Sequence, residues 1–176
     1  MVFAHDTELA LQAAVTLVNS AEEPDTLTTQ AELDQIWDEY HYTGRRDRTV
    51  AELDAVRALR PRLRQLLTAD EEGAVTLVNQ LLSEAQAVPQ LVRHDFLDWH
   101  IHAIETGAPL DRRIAVETAM AMIDVIRGDE LSRLSICADD TCAGLVLDLS
   151  RNRSRRFCSV TCGNRNAVAA YRARQK

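Results

Sequence analysis

Apolar residues recur every three or four positions through most of the first 85 residues, which is the spacing of amphipathic helices. The pattern predicts four helices in this part of the chain. The first covers 6–20, the second is capped by Thr28 or Thr29, and the next two are opened by Thr49 and Asp70. A mainly helical domain therefore accounts for the first half of the sequence.

Pro61 conflicts with the apolar pattern of the third helix. Thr49 and Glu52 have the spacing of a capping box at its start. A proline inside a helix removes one hydrogen bond and clashes with the preceding turn, which costs roughly 3 kcal/mol. We therefore expect a kink or a restart near Arg60.

Two short runs then alternate between apolar and polar positions, 91–94 and 99–104. Such alternation predicts a β-hairpin. His100 and His102 would share one face of the hairpin and Trp99 would lie on the other. We expect the histidines to form an exposed polar face. A metal-binding His-x-His pair is the less favoured alternative, because no third ligand is evident. This hairpin is the candidate surface for sensing a small-molecule effector of unknown identity.

A fifth helix is predicted over 111–127 and ends at Gly128. Its residues are apolar nearly all the way round, which is typical of a helix at the centre of a domain. The alternative is that one side of this helix forms the interface of a homodimer.

The four cysteines of the chain form two close pairs, Cys137 with Cys142 and Cys158 with Cys162. Fifteen residues separate the two pairs. This arrangement is typical of a tetrahedral zinc site with four thiolate ligands. Four protein ligands leave no open coordination position, so we predict one structural Zn²⁺ and no catalytic metal.

The alternative is that these cysteines are free or joined in disulfides. The first residues, Met1 to Asp6, lack the basic region of a signal peptide. We therefore expect a cytoplasmic protein, whose reducing surroundings disfavour disulfides. No run of eighteen apolar residues occurs, so we expect no membrane contact.

The residues around the cysteines predict a treble-clef-like order of knuckle, hairpin and helix. We expect strands at 145–148 and 155–158 with a turn between them, and a helix that Ser159 caps and that carries Cys162. So small a lobe needs its metal, since structural zinc supplies roughly 10–16 kcal/mol of folding free energy in finger peptides. The core predicted for the lobe consists of Leu145, Leu147, Phe157, Val168 and Tyr171.

The predicted fold class is therefore mainly α. A helical N-terminal domain with a β-hairpin covers 1–128, a linker covers 129–135, and the small zinc finger covers 136–176.

Charge divides the chain unevenly. Residues 1–150 carry 12 basic and 27 acidic side chains, a net charge of −15, whereas 151–176 carry eight basic and no acidic ones. A small rigid finger with a basic face is the electrostatic footprint of a nucleic-acid binder. The candidate nucleic-acid-binding residues are Arg151, Arg153, Arg155, Arg156, Arg165, Arg172 and Arg174.

The sequence Cys162-Gly163-Asn164-Arg165, preceded by the arginine-rich segment 151–159, resembles the CGNR zinc-finger family. The segments 17–20, 25–27 and 53–67 resemble, more weakly, the helical domain that is usually fused to this finger. The family is described as putative stress-induced transcription regulators. The resemblance implies that the four cysteines bind zinc and that DNA is the partner. Phe157 stands where the family often has Trp.

Two functions remain open at this point, and a third is disfavoured. The first is a transcription regulator whose finger contacts DNA and whose helical domain senses a ligand or oligomerises. The second is a protein-interaction module whose basic finger docks on an acidic partner or on its own N-terminal domain. An enzyme is disfavoured, because the sequence contains no glycine-rich phosphate loop, no nucleophile elbow and no Ser/His/Asp arrangement.

Overall fold

The computed structural model describes residues 3–94 and 97–175, with the backbone alone for 94, 97 and 98. The predicted mainly α class with a hairpin is confirmed. The elements are α1 (His5–Asn19), α2 (Gln30–Glu39), α3 (Val50–Leu67), α4 (Glu71–Glu84), β1 (Gln90–His94), β2 (Leu97–His102), α5 (Leu110–Arg127), a 3₁₀ turn (Leu131–Arg133), β3 (Leu134–Ile136), β4 (Leu145–Leu147) and α6 (Val160–Arg174). Within the described ranges, none of the helices combines the length and apolar character that a membrane span needs.

The helix starts follow the capping residues of the sequence. Thr29 opens α2 with a reciprocal capping box, in which its hydroxyl accepts from the Glu32 amide and the Glu32 carboxylate accepts from the Thr29 amide. Asp70 caps α4. Thr49 caps α3, but the Glu52 carboxylate accepts instead from the amides of residues 47 and 48 in the preceding loop. Local side-chain chemistry therefore decides where these helices begin.

The helix α3 runs on through Pro61, so the expected restart near Arg60 is wrong. Pro61 cannot donate a hydrogen bond to the carbonyl of Arg57, one turn earlier. The side chain of Arg60 supplies a substitute, because its Nε donates to that carbonyl at 3.3 Å. Val56 before the proline and Leu63 after it are both fully buried. The two halves of the helix therefore pack against the same core.

The helix α5 lies at the centre of the protein, as its apolar pattern predicts. It packs against α1, α3 and α4. Its residues Ile114, Ala119, Met122 and Val125 are almost completely buried, with at most 1% of their surface exposed. The other helices thus share one core around it.

The hairpin is confirmed, but its two faces are the reverse of the expectation. Strands β1 and β2 pair antiparallel, with Leu91 opposite Ile101. His100 is only 7% exposed, whereas Trp99 is 64% exposed and Leu91 67%. The histidine face turns inward and lines a cavity beside α1 and α5, where Nε2 of His100 lies 3.0 Å from Nε2 of His102.

The strand pairing of the C-terminal part also differs from the prediction. The strand β4 pairs antiparallel with β3, so Leu134 lies opposite Leu147, and 155–158 forms no strand. After β4, the carboxylate of Asp148 accepts hydrogen bonds from the amides of Ser150 at 2.8 Å and Arg155 at 2.7 Å. These bonds fold the chain into a turn directly after β4.

The predicted core of the finger is only partly right: Phe157 packs in a small cluster with Val146 and the cysteines, but the other four predicted residues lie elsewhere. Leu145 and Leu147 are buried in the main core, where β4 packs against α1. Val168 is 47% exposed and Tyr171 59%, so neither belongs to a core. Cys162 is the one residue of α6 that is buried. The finger is therefore built onto the helical domain, and its helix is held chiefly at the metal centre.

Candidate metal centre and nucleic-acid interface

The four cysteine sulfurs converge on one point. All of them lie within 4.8 Å of one another. The Sγ atom of Cys158 is 3.5 Å from that of Cys142 and 3.8 Å from that of Cys162. Zinc–thiolate bonds of about 2.3 Å in a tetrahedron place the sulfurs about 3.8 Å apart. The sulfurs are not joined in disulfides, and their separations fit a single zinc ion.

Backbone hydrogen bonds bring the two cysteine pairs together. The first pair spans a knuckle after β3, closed by the bond from the Cys137 amide to the Gly144 carbonyl at 2.8 Å. The Ala138 amide donates to the Arg156 carbonyl at 2.9 Å, which brings the segment before the second pair alongside. Ser159 caps α6 by accepting from the Cys162 amide, so that Cys162 lies in the first turn, as predicted.

The surroundings of the sulfurs suit charged thiolates. The amide of Cys158 points at the Cys137 sulfur and that of Gly144 at the Cys142 sulfur, both at 3.4 Å. A Cβ atom at Gly144 would lie 3.1 Å from the Cys158 sulfur, so a larger residue would push into the centre. Burial and the neighbouring sulfurs raise the pKa of the Cys158 thiol. A bound cation offsets both effects, so the pocket fits a metal.

This zinc site is structural. All four coordination positions are filled by cysteine, which leaves none for water or substrate. Zinc bound here contributes to folding, because it ties the knuckle to the first turn of α6.

Two residues of the helical domain hold the knuckle in place. The side-chain amide of Asn19, at the end of α1, donates to the Leu145 carbonyl at 2.9 Å and accepts from the Leu145 amide at 2.6 Å. Arg64 of α3 donates to the Ala143 carbonyl and pairs with Glu22 at 3.1 Å. The metal centre is thus attached to α1 and α3 by side chains that the sequence pattern did not single out.

We predict that Asn19→Ala weakens both folding and zinc retention. The change leaves a donor and an acceptor of Leu145 unpaired, at a cost of about 2 kcal/mol. Urea unfolding of the zinc-loaded chain and the rate of zinc transfer to a chelator measure the two effects. The chain offers a matched control in Asn79, which ends an identical six-residue sequence, AVTLVN, and is exposed on α4. If Asn19→Ala and Asn79→Ala behave alike, Asn19 does not support the knuckle.

All seven candidate arginines are exposed, and none is buried against the acidic helical domain. Four of them have partners within the C-terminal region. Arg153 pairs with Glu130 at 2.7 Å and Arg165 with Asp139 at 3.2 Å. Arg155 donates to the Cys158 carbonyl, and Arg156 lies over the Phe157 ring.

The side chains of the other three candidates, Arg151, Arg172 and Arg174, form no hydrogen bond or ion pair with the described part of the chain. Their guanidinium groups are therefore available to an external anion.

Comparison with known families covers both parts of the chain. Residues 11–129 match ABATE, described as a putative stress-induced transcription regulator, and residues 133–175 match the CGNR zinc finger. No curated protein matches the chain. The four clustered cysteines agree with the second match, since they form the zinc site of that finger. The chain therefore belongs to the family of putative stress-induced transcription regulators that join an ABATE domain to a CGNR zinc finger.

Proposed function

We propose that this protein regulates transcription by binding DNA through the arginine face of its zinc finger. The observation that carries the proposal is the exposure of Arg151, Arg172 and Arg174 without partners among the described residues. Phosphate neutralisation by such groups dominates the affinity of proteins for DNA. In this proposal the helical domain, 1–128, senses a ligand or oligomerises. The linker, 129–135, joins it to the finger, 136–176, which contacts DNA.

The shape of α6 supports the proposal. Beyond its first turn, no residue of this helix is buried, so most of its surface is available for contact. The major groove of B-DNA is about 12 Å wide and admits an α-helix. Arg165 and Arg172 lie seven residues apart and share one face of α6. The helix can therefore enter a groove while the arginines reach the phosphates.

The acidic charge of residues 1–150 limits the affinity. A net charge of −15 on that part repels DNA, whereas 151–176 carry +8. We therefore expect binding of modest strength and strong dependence on salt.

The test is a titration of zinc-loaded full-length protein on duplex DNA across salt concentrations. With about five phosphate contacts, log K should fall with log salt at a slope near −4.5. Replacing Arg151, Arg172 and Arg174 together by Gln should make that slope shallower by about 2.7. Arg112→Gln, at an exposed arginine of the helical domain, is the control and should leave the slope unchanged.

A flat salt response would contradict DNA binding. The protein-interaction function would then account for the basic face, with an acidic protein surface as the partner. The full chain is required for this test, since Leu145 and Leu147 are buried in the core of the helical domain.

A further inference from the structure

A cavity of about 220 Å³ lies between the first half of α1, residues 117–127 of α5, the segment 40–43 and β2. Drug-sized sites enclose about 300–1,000 Å³. The cavity is therefore sized for a small metabolite. It is distinct from the metal centre, since none of the cysteines lines it.

The charges around the cavity favour a cation. Three carboxylates line it, those of Asp6, Glu117 and Asp124, against one guanidinium, that of exposed Arg127, among the described residues. The N-terminus of α1 and the C-terminus of α5 meet here, as the bond from Thr7 to Asp124 at 2.6 Å shows. The partial charges of two such opposite helix ends offset each other. The charged side chains therefore decide the sign of the electrostatic potential in the cavity.

Among these three carboxylates, Glu117 has the fewest hydrogen bonds and ion pairs to balance its negative charge. It is partly buried, and within the described ranges its carboxylate has no hydrogen bond or ion pair. Arg113, one turn earlier on α5, is the nearby cation. Its guanidinium donates instead to the carbonyls of Thr43, Arg45 and Ala108. Burial raises the pKa of Glu117 to about 7, which shows how poorly its negative charge is compensated.

The wall beside Glu117 is apolar. Met120 and Ile123 of α5 and Leu9 of α1 line the cavity. Glu117 and Asp124 lie seven residues apart on one face of α5, about 10 Å along the helix axis. A short apolar body can therefore lie along Met120 while a positive group reaches Glu117.

We propose that this cavity binds a small amphipathic organic cation, with its ammonium group on Glu117 and its apolar body along α5. The role of this cation as an effector rests on the sensing function proposed for the helical domain. A metal ion fits less well, because the cysteines form the only group of three or more potential ligands within the described part of the chain.

The test is isothermal titration calorimetry of zinc-loaded full-length protein with n-pentylammonium at pH 8, without DNA. We expect saturable binding, and binding of neutral 1-pentanol at least about tenfold weaker. Glu117→Gln should weaken pentylammonium binding by at least about tenfold as well. Glu23→Gln, the same change at an exposed glutamate outside the cavity, should leave it unchanged.

Three results would overturn the assignment. They are equal affinities for the amine and the alcohol, an unchanged affinity of Glu117→Gln, and no saturable binding by pentylammonium. Binding of Ni²⁺ that competes with pentylammonium and survives Glu117→Gln would instead assign the cavity to metal held by His100 and His102. Because no DNA is present, each of these failures leaves the DNA-binding proposal standing, and a flat salt response leaves this one standing.

Discussion

Replacing Cys162 by serine should release the zinc and destabilise the entire protein, not only the finger. Zinc binding supplies on the order of 10 kcal/mol in small zinc domains. Cys162 is 5% exposed and is the sole buried residue of α6 among those described, so losing its ligation frees this helix. The knuckle then loses the support of the metal and keeps only its bonds to Asn19 and Arg64. This weakens the packing of β4, whose residues Leu145 and Leu147 belong to the main core. Metal analysis, circular dichroism and thermal unfolding measure the three effects.

The extent of the unfolding separates two arrangements of the finger. A finger whose apolar residues all packed within it would unfold alone and leave the thermal midpoint of the helical domain unchanged. A finger built onto the main core should lower that midpoint by several degrees. Removing zinc with a chelator should reproduce the effect of Cys162→Ser, and returning zinc should reverse it. The exposed neighbour Thr161, changed to Ala, is the matched control.

The stability of the protein should fall between pH 4.5 and pH 7 through Glu117. Burial raises the pKa of this carboxyl from its ordinary 4.5 to about 7 in the folded state. The folded chain therefore holds a proton that the unfolded chain releases, so its stabilising effect is complete below pH 4.5 and lost as pH rises through 7. The difference corresponds to roughly 3 kcal/mol.

Comparison with Glu117→Gln isolates this effect. The variant cannot titrate here, so its free energy of unfolding relative to wild type should rise by roughly 3 kcal/mol from pH 4.5 to pH 8. Urea unfolding at several pH values measures it, with Glu23→Gln as control. A constant difference between variant and wild type would contradict the raised pKa. Among the described residues, the charged and titratable groups around Glu117 are Arg113, Arg127, Asp124, Asp6, His41, Tyr40, Tyr42, His100 and His102.

Local sequence signals located much of the fold and of the metal site. The caps at Thr29, Thr49 and Asp70 act within one helical turn, so neighbouring residues suffice to predict them. The cysteine pairs likewise carry their own signal, because a four-thiolate zinc site needs two close pairs. Strand pairing was predicted less well. The strand expected over 155–158 does not form, because β4 pairs with β3 instead.

The hairpin illustrates the limit of sequence pattern. Alternation correctly placed the histidines and Trp99 on opposite faces, but it cannot tell which face is covered. That choice depended on α1 and α5, which enclose a cavity on the histidine side. Although α5 follows β2 directly, its residues that line the cavity begin at Glu117, and those of α1 lie about 90 positions before the histidines, so no local rule predicts the contact.

The sequence by itself determined the helices, the four zinc ligands and the basic character of the C-terminal end, because each depends on residues close together along the chain. The tertiary structure alone decided that β4 joins the main core, that Asn19 holds the knuckle and that Glu117 lines a cavity. The Asn19–Leu145 bonds join residues 126 positions apart. Such contacts form only when separate elements pack together, since packing sets which polar groups meet and which surfaces are buried.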